Sequence, residues 1–422
     1  MPAIEFVSYG DASGYGQAAV GYVRLLLGAG FTVHWMPFLN DALWTGRFGS
    51  AQAGAELARG RAALRLRGQA GQQNDLACLV DATERPVSAD LRILHVIPHY
   101  WTAFRNQAPN VPHIGITAWE SDSIATAWLP MLASVDHLIV PSTHNAQVLA
   151  AARSSGAALP PASVVPHLSR PILQPPPKPR LEALAQWAGI RPDDTVFYSI
   201  NAWDPYPRKR IAALIDGFAR TFRAEDPAVL VVKTSRAAQR DHPAGSPGQR
   251  DVAAIVSTIL TRAAAETGRP GGRIALLAQD DMADSLIDGL HTLGQCFVTL
   301  SRCEGFGLGA FDAATHGRPV IAVGYGGSVD YLGADWPGRI PHRMVPCEAM
   351  PGYHWFDAGQ SWPEPDDAAA FNLMRDVMQA PRPFLAAADG VRDRIGRVFG
   401  TGTITAQLRE AIGSVVPHLG RR

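Results

Sequence analysis

Short apolar runs alternate with longer helical stretches along most of the chain. Many runs are continuous and rich in β-branched residues, which is typical of parallel strands buried on both faces. The pattern therefore predicts an α/β protein whose parallel sheets are covered by helices. The first half has predicted strands at Ile4–Ser8, Phe31–Met36, Leu76–Val80, Leu91–Ile97, His113–Thr117, His137–Val140 and Ser163–Pro166. The second half has predicted strands at Thr195–Ile200, Ala228–Lys233, Arg273–Leu277, Cys296–Leu300 and Pro319–Val323.

A proline-dense segment separates the two halves. Prolines crowd residues 160–179, which is typical of a stiff linker. We predict two doubly wound, Rossmann-like domains at residues 1–170 and 171–400, and a terminal segment at 401–422 that includes an amphipathic helix. Because open parallel sheets bind ligands beyond the carboxyl ends of their strands, we expect the site in a cleft between the facing halves.

The composition excludes several classes of protein. Hydrophobic residues make up 47% of the 422 residues and charged residues 18%, which is typical of a globular protein. The 38 basic and 38 acidic residues cancel, which argues against a dedicated nucleic-acid binder. No run approaches the ~18 apolar residues of a membrane span. The first residues enter a strand pattern without the basic-then-apolar order of a signal peptide, so we expect a cytoplasmic location.

No candidate metal ligands stand at suitable spacing. The four cysteines, at positions 78, 296, 303 and 347, lack metal spacing. Cys78 and Cys296 lie in apolar strand-like runs, which predicts buried, reduced thiols. The acid pairs Asp280-Asp281 and Asp366-Asp367 are adjacent and are predicted to lie on surface turns. We therefore expect no metal and no cofactor.

The segment Gln295–Ala322 carries the strongest functional pattern. An apolar run ends at Leu300, the chain turns through two glycines, and a helix is predicted from near Leu308 to His316-Gly317. A strand that leads through a glycine turn to a helix N-terminus aims backbone N–H groups and partial positive charge at one point, which suits a phosphate. Glu304 and Asp312 bracket this point, and carboxylates beside a phosphate are better placed to accept hydrogen bonds from sugar hydroxyls. The alternative is an ordinary glycine turn with two surface acids.

This segment resembles the E-x7-E motif of retaining glycosyltransferases of family 4, which have the two-domain GT-B fold. The resemblance implies that Glu304 contacts the donor sugar and Asp312 the ribose, although the family has Glu at the second position. It implies a diphosphate contact for Phe306, Gly307 and Leu308. It also implies that the C-terminal helix packs back on the first domain.

The first glycine-rich turn follows the first predicted strand. Gly14 and Gly16, on either side of Tyr15, open a helix and let the backbone approach a ligand closely. The segment resembles the N-terminal glycine loop of family 4, which lines the donor and acceptor sites. A cleft histidine of the family, which contacts the primary hydroxyl of the sugar, maps to His95 or His99, and His99 is closer to the open end of its strand. The alternative for His95 is a packed core histidine.

Two further segments resemble family motifs that bind substrates. Residues 114–144 resemble the "W-E … W … V-P-S" pattern of a family subgroup, in which Glu120 would orient an acceptor hydroxyl; the alternative is a helix-capping acid. Ser142 is predicted to cap the following helix. Residues 201–218 resemble the "R-K-x-x-x-x-(L/I)-(I/L)-x-A-F" segment, which implies phosphate contacts for Lys209 and Arg208. Cations at a helix start oppose the helix dipole, which favours an anionic ligand over a solvated basic turn.

The resemblance continues to the end of the chain. Lys233 ends a predicted strand and is a second candidate donor-binding cation. The glycines of residues 323–332 are predicted to form another backbone turn. This segment resembles the family's pattern "G-Y-x-G-x-x-D-F". Residues 362–375 resemble the family's "W-x-x-P-D … M-R" tail. Arg210 stands where the family often has Gly.

One basic stretch lies outside the resemblance. Four arginines at positions 59, 61, 65 and 67 stand among alanines and leucines, with Glu56 opposing them. A solvated basic helix is one interpretation. A patch for an anionic acceptor or a membrane surface is the other.

The sequence as a whole predicts a retaining, metal-independent hexosyltransferase that uses a UDP-, GDP- or ADP-sugar and an acceptor hydroxyl. A sugar-nucleotide epimerase, a phosphorylase or a non-catalytic binding module of the same fold are alternatives. Glycosylation of nucleic acid has only the arginine stretch in its favour. The base, the sugar, the acceptor and the oligomeric state are left open.

Overall fold

The computed structural model describes residues 2–71, 75–170, 176–203, 208–236, 251–280, 282–348 and 356–420. Residues 171–175 of the proline-rich linker, part of the segment before Arg208, and Asp281 of one predicted acid pair lie outside these residues.

The described chain forms two compact units. The first unit contains residues 2–170, 356–361 and 396–420, with the gap noted above. The second unit contains the described residues of 176–348 together with 362–395.

The strands are β1 (Ala3–Tyr9), β2 (Thr32–Phe38), β3 (Leu91–His95), β4 (His113–Ile116), β5 (His137–Val140), β6 (Ala162–Val164), β7 (Thr195–Ile200), β8 (Ala228–Thr234), β9 (Arg273–Ala278), β10 (Cys296–Val298), β11 (Val320–Val323), β12 (Arg339–Ile340), β13 (His342–Pro346) and β14 (Ser361–Pro365).

The helices are α1 (Gly14–Gly28), α2 (Asn40–Trp44), α3 (Ala53–Gln69), α4 (Leu76–Ala82), α5 (Trp101–Gln107), α6 (Leu129–Leu132), α7 (Thr143–Ser154), α8 (Lys178–Trp187), α9 (Ile211–Thr221), α10 (Val252–Thr267), α11 (Asp284–Leu293), α12 (Leu308–Thr315), α13 (Ser328–Leu332), α14 (Asp367–Gln379), α15 (Pro381–Val398), α16 (Thr401–Val415) and α17 (Pro417–Gly420). Short 3-10 helices lie at Arg47–Gly49, Pro98–Tyr100 and Thr126–Trp128.

Each unit contains a six-stranded sheet whose paired strands run parallel. The order is β2-β1-β3-β4-β5-β6 in the first unit and β12-β11-β10-β7-β8-β9 in the second. In each sheet the chain first adds strands on one side of the unit's first strand. It then crosses back and adds the remaining strands on the other side. The reversal lies between β1 and β3 in the first unit and between β7 and β10 in the second. This doubly wound topology confirms the predicted fold class.

The inner strands of both sheets are buried on both faces, as their continuous apolar sequences predict, whereas the edge strands β6 and β9 are mostly half-buried. In β8, for example, every residue but Lys233 is buried. The core of the second unit gathers Phe197, Leu230 and Val298 from three neighbouring strands. Helices α9 and α14 contribute further apolar side chains to that core.

One predicted strand is wrong. Leu76–Val80 lies in helix α4, not in a strand. Leu76 and Val80, four residues apart, are buried, whereas Cys78 between them is exposed, so only one helical face meets the core. A five-residue apolar run cannot by itself distinguish the two structures. The predicted burial of the Cys78 thiol is therefore also wrong, whereas Cys296 is buried and free as predicted.

The C-terminal helix packs on the first unit, as predicted from the resemblance. Helix α16 contacts α1, β5 and β6. Arg409 donates a hydrogen bond to the carbonyl oxygen of Ala29 and lies 5.8 Å from the ring centroid of Phe31.

A segment from late in the chain also joins the first unit, which the sequence did not indicate. The side chain of Gln360 donates to Ser121 Oγ at 2.7 Å and to the carbonyl oxygen of Ser123 at 2.8 Å. The backbone of Ser361 exchanges hydrogen bonds with Asp122. Residues 356–361 are therefore held by the loop that follows β4.

Among the described residues, no helix is both long enough and apolar enough to cross a membrane.

Candidate functional site

The strongest candidate site lies at the point where the second sheet reverses its strand order. Arg208 and Lys209 follow β7, and Glu304 follows β10, which pairs with β7. Parallel strands end at the same edge of a sheet, so these residues meet beyond the carboxyl ends. Such a reversal point is where open α/β sheets bind their ligands.

Glu304 is the centre of this cluster. Its Oε1 atom accepts hydrogen bonds from Lys209 Nζ at 2.5 Å and from Ser301 Oγ at 2.7 Å. Arg208 reaches Oε2 at 3.5 Å. The side chains of Glu304, Lys209 and Arg208 retain between 16% and 19% exposure, so the cluster is largely buried but open to a ligand.

The cations decide the protonation state of Glu304. Burial alone would raise the pKa of its carboxyl. The positive charges of Lys209 and Arg208 outweigh burial and hold the pKa below its ordinary value of 4.5. Glu304 is therefore a carboxylate at neutral pH, and the cluster carries one more positive charge than negative.

Beside the cluster, a glycine turn leads into helix α12. Gly307 has a φ of +84°, and the helix begins at Leu308, as the sequence predicts. The first N–H groups of a helix have no partner within it and concentrate partial positive charge. A Cβ on Gly309 would lie 2.7 Å from the carbonyl oxygen of Ile200, so a larger residue would push α12 away from the end of β7.

The turn is held by the loop after β11. The Gly327 N–H donates to the carbonyl oxygen of Glu304 at 2.9 Å. The hydroxyl of Tyr331 donates to the carbonyl oxygen of Gly307 at 3.0 Å. A Cβ on Gly327 would overlap the carbonyl oxygen of Gly305, so the two loops are in backbone contact. The glycines after β11, predicted to form another backbone turn, thus support the neighbouring turn.

The other predicted donor-site residues of this unit lie close by. Asp312 stands inside α12 and is 7% exposed. Phe306 is buried and packs against Phe311 and Tyr331, so only its backbone can meet a ligand. Lys233 is the last residue but one of β8, and its carbonyl oxygen accepts from the N–H of Asn201 at 3.1 Å.

An ion-pair network anchors the segment that carries the two cations. Arg210 has a φ of +49°, the only positive φ of a non-glycine residue in the described ranges. Its guanidinium donates to both carboxylate oxygens of Asp367, at 2.7 and 2.8 Å. Arg302 donates from its backbone to the carbonyl oxygen of Arg208 and from its side chain to Glu364. Asp366 and Asp367, predicted to lie on a surface turn, instead begin helix α14, which Asp366 caps.

Sequence reasoning missed several of these supporting residues. The residues that contact the cluster or its loops include Ser301, Arg302, Glu364 and Tyr331. Their partners lie between 3 and 62 positions away along the chain. Ser301 had one usable signal, since it stands at the polar end of the apolar run. The pairings of Arg302 and Tyr331 require knowledge of which loops are neighbours.

The first unit gathers a second set of predicted residues at its own reversal point. Tyr15 follows β1, and His95 ends β3, the neighbouring strand. Their ring centroids are 5.1 Å apart. The hydroxyl of Tyr15 shares a hydrogen bond of 3.1 Å with Thr117, which follows β4. Burial raises the pKa of Tyr15 to about 12, and the charge of Glu120 contributes to the rise.

The two candidate histidines have different surroundings. His95 is 1% exposed and contacts the rings of Phe6, Tyr22 and His167. Burial lowers its pKa well below 6.5, so it is neutral. His99 is exposed in the 3-10 turn after β3. His95 thus matches the packed alternative, although it lies next to Tyr15.

The remaining predictions for this unit concern Gly14, Gly16, Glu120 and Ser142. Gly14 is exposed at the start of α1, whereas the Gly16 N–H donates to Ser13 Oγ at 3.2 Å, and a Cβ there would overlap the carbonyl oxygen of Asp11. Glu120 lies in the loop after β4 and caps no helix. Ser142 caps α7, as predicted.

The arginine stretch is helical, and all four arginines have hydrogen-bond partners within the unit, which for two of them are carboxylates. Arg59 contacts Glu56 and Asp41, and Arg65 contacts Asp81 and Glu84. Arg61 contacts His34 at 3.1 Å. Arg67 is buried and donates to the carbonyl oxygens of Gly10 and Asp11. These contacts account for the arginines without an anionic acceptor, a membrane surface or a nucleic acid.

No group of three or more metal-ligating side chains occurs within the part of the chain that the structure describes.

Comparisons with known proteins identify the fold. No protein-family model matches the chain, and no curated protein matches its sequence. Solved structures match over nearly its whole length. Sucrose-phosphate synthase from Thermosynechococcus elongatus has a TM-score of 0.65 at 14% identity, covering 99% of this chain and 100% of its own. Trehalose 6-phosphate synthase from Burkholderia multivorans has a TM-score of 0.63 at 12% identity, with coverage of 99% and 100%.

A third match was solved with ligands. HepE from Anabaena, in complex with UDP and glucose, has a TM-score of 0.61 at 14% identity and covers 98% of this chain and 100% of its own. The chain has the two-domain GT-B fold. At these identities the similarity extends to the fold alone.

Proposed function

We propose that this protein is a retaining hexosyltransferase that moves a sugar from a nucleoside diphosphate to an acceptor hydroxyl. The observation that carries the proposal is the contact of Lys209 and Arg208 with Glu304 at the β7/β10 reversal point, beside the N-terminus of α12. Cations and helix N–H groups suit a diphosphate, and the carboxylate suits sugar hydroxyls. The resemblance to glycosyltransferase family 4 assigns these same residues to the donor.

The donor diphosphate would lie on the N–H groups at Gly307 and Leu308 and against Lys209 and Arg208. As the bond between the sugar and the phosphate oxygen breaks, negative charge grows on the leaving diphosphate. Cations and N–H groups fixed near that oxygen stabilise the transition state more than the bound donor. Asp312 would accept a hydrogen bond from the ribose, and Lys233 would contribute further positive charge.

Glu304 would exchange partners when the donor binds. Without donor, its carboxylate offsets part of the positive charge of Lys209 and Arg208. With donor, the diphosphate takes over those cations, and Glu304 is free to accept hydrogen bonds from the sugar.

Transfer would then occur on one face of the sugar. The acceptor oxygen forms a bond to the anomeric carbon on the side from which the diphosphate leaves. The departing phosphate oxygen takes the acceptor proton, so charge and atoms balance without a protein nucleophile. Tyr15, Glu120 and a histidine, His95 or His99, would orient the acceptor or the sugar. No metal or cofactor is required in this scheme.

The matches to solved structures support the class of donor. HepE, which shares the fold over the whole chain, was solved with UDP and glucose. Sucrose-phosphate and trehalose 6-phosphate synthases share it as well. A UDP-hexose is therefore the first donor to test.

The test is a thermal-shift panel of UDP-, GDP- and ADP-sugars, followed by product analysis in EDTA with candidate acceptors. Binding of a selective donor is expected to raise the midpoint temperature of unfolding by mass action. Product analysis is expected to show the sugar on an acceptor with its anomeric configuration retained. Silence across the panel would overturn the proposal. Epimerised donor without acceptor, or turnover that requires inorganic phosphate, would replace it with the alternatives. Binding without turnover would favour a non-catalytic module.

A further inference from the structure

Tyr331 is a buried tyrosine whose hydroxyl reaches the turn before α12. The residue is fully buried in helix α13, and its ring packs against Phe306 and Phe311 with centroid separations of 5.5 and 5.0 Å. The hydroxyl donates to the carbonyl oxygen of Gly307 at 3.0 Å. The ring thus packs against α12 and the turn, and the hydroxyl bonds to the carbonyl oxygen of the turn's last residue.

That carbonyl belongs to the peptide group that starts the helix. Because a peptide group is planar, fixing the carbonyl of Gly307 also fixes the direction of the Leu308 N–H. Gly307 has a φ of +84° and no side chain to limit its rotation. The other end of the turn is fixed separately, by the bond from the Gly327 N–H to Glu304. The Gly307 carbonyl also accepts the first helical hydrogen bond, from the Phe311 N–H at 3.0 Å, and the Tyr331 hydroxyl adds a side-chain hydrogen bond to the same oxygen.

We propose that Tyr331 is a positioning residue, whose hydroxyl orients the Leu308 N–H toward the diphosphate of the donor. The inference rests on the proposed function and deepens it, because it gives a residue outside the cation cluster control over phosphate binding. Tyr331 itself does not touch the donor.

The protonation state of Tyr331 agrees with this role. Burial raises the pKa of its hydroxyl well above 10, and the negative charges of Glu304, Asp312 and Asp330 raise it further. The hydroxyl therefore stays protonated and remains a donor toward Gly307 throughout the neutral range.

The test is Tyr331→Phe, which removes the hydroxyl and keeps the ring. The matched control is Tyr198→Phe: Tyr198 is equally buried in the same unit, and its hydroxyl bonds to His291 Nδ1 at 2.8 Å, away from the turn. Both variants lose one buried hydrogen bond, so both should lower the unfolding midpoint to a similar, small extent. Calorimetry with UDP, GDP and ADP and steady-state kinetics with the active donor are then compared.

Tyr331→Phe is expected to weaken binding of the preferred nucleoside diphosphate about 5- to 10-fold, as loss of one hydrogen bond implies. The donor KM should rise, while the acceptor KM stays within twofold. Tyr198→Phe should bind the diphosphate as the wild type does. If Tyr331→Phe matches Tyr198→Phe in diphosphate affinity and donor KM, the inference is overturned and the proposed function stands. If the wild-type protein binds no nucleoside diphosphate, the proposed function fails and this inference with it.

Discussion

Lys209 Nζ lies 2.5 Å from Glu304 Oε1, so a cation and a carboxylate from loops 95 positions apart form an ion pair. Both side chains are mostly buried. A diphosphate that uses Lys209 must therefore displace the carboxylate or share the cation with it. Removing the charge of Glu304 should therefore change diphosphate affinity and the rate of sugar transfer in opposite directions. The two effects can be measured separately.

Glu304→Gln should reduce sugar transfer but strengthen binding of the free nucleoside diphosphate. The amide carries no charge, so it neither holds the cations nor repels the phosphates. We expect about tenfold tighter binding, equivalent to ~1.4 kcal/mol, and a loss of transfer of at least ~100-fold. Calorimetry and initial rates measure the two effects.

Glu348→Gln is the control for this experiment. It removes a carboxylate that pairs with Arg302 at 2.9 Å but does not contact Lys209. Its affinity for the diphosphate should be unchanged. Weaker diphosphate binding by Glu304→Gln would contradict the exchange of partners.

Two substitutions of Arg210 should distinguish the effect of backbone strain on stability from the effect of the lost ion pair. Arg210 adopts a left-handed backbone conformation while its side chain bonds Asp367. Both Arg210→Ala and Arg210→Gly lose the ion pair, but only glycine adopts this conformation without strain. Arg210→Ala should therefore be less stable than Arg210→Gly by about 1 kcal/mol in urea unfolding. Equal stability of the two variants would show that the conformation is not maintained.

Mild acid should destabilise the protein through its buried histidines. Burial lowers the pKa of His167 to about 4, and burial is also the main cause that lowers the pKa of His113 to about 4. The unfolded chain protonates these histidines near pH 6.5, whereas the folded chain does not until about pH 4. The unfolded state therefore binds more protons in this window, and the free energy of unfolding falls as the pH falls from 6.5 to 4.

Urea unfolding between pH 7 and 4.5 measures this slope. His167→Gln should reduce the slope of the free energy of unfolding against pH by up to about 1.4 kcal/mol per pH unit, which corresponds to one proton. The matched control is His99→Gln, which makes the same substitution at an exposed histidine of the same unit. The assignment fails if both variants keep the wild-type slope.

The sequence predicted the parallel strands and the strand–turn–helix at Glu304 because each depends on local residues. The apolar run before Ser301, the glycines at 305 and 307, and the helix start at Leu308 are all neighbours along the chain. Leu76–Val80 was mistaken for a strand because so short a run has no clear period.

Contacts between distant segments could not be predicted in this way. The bond from Tyr331 to Gly307 depends on β11 lying beside β10, and the pairing of Arg302 with Glu364 joins residues 62 positions apart. The carboxylate partners of Arg59 and Arg65 could not be recognised from the sequence, because Asp41, Asp81 and Glu84 lie in other segments.

The most direct test of the account is calorimetric titration of UDP, GDP and ADP into wild-type protein and Lys209→Gln. The variant keeps a polar side chain, one atom shorter than that of lysine, but removes the positive charge that would pair with the diphosphate. The account predicts that at least one diphosphate binds the wild type and that its affinity falls at least ~10-fold in the variant, with a weaker dependence on salt. Equal affinity for the two proteins, or no binding by the wild type, would contradict it.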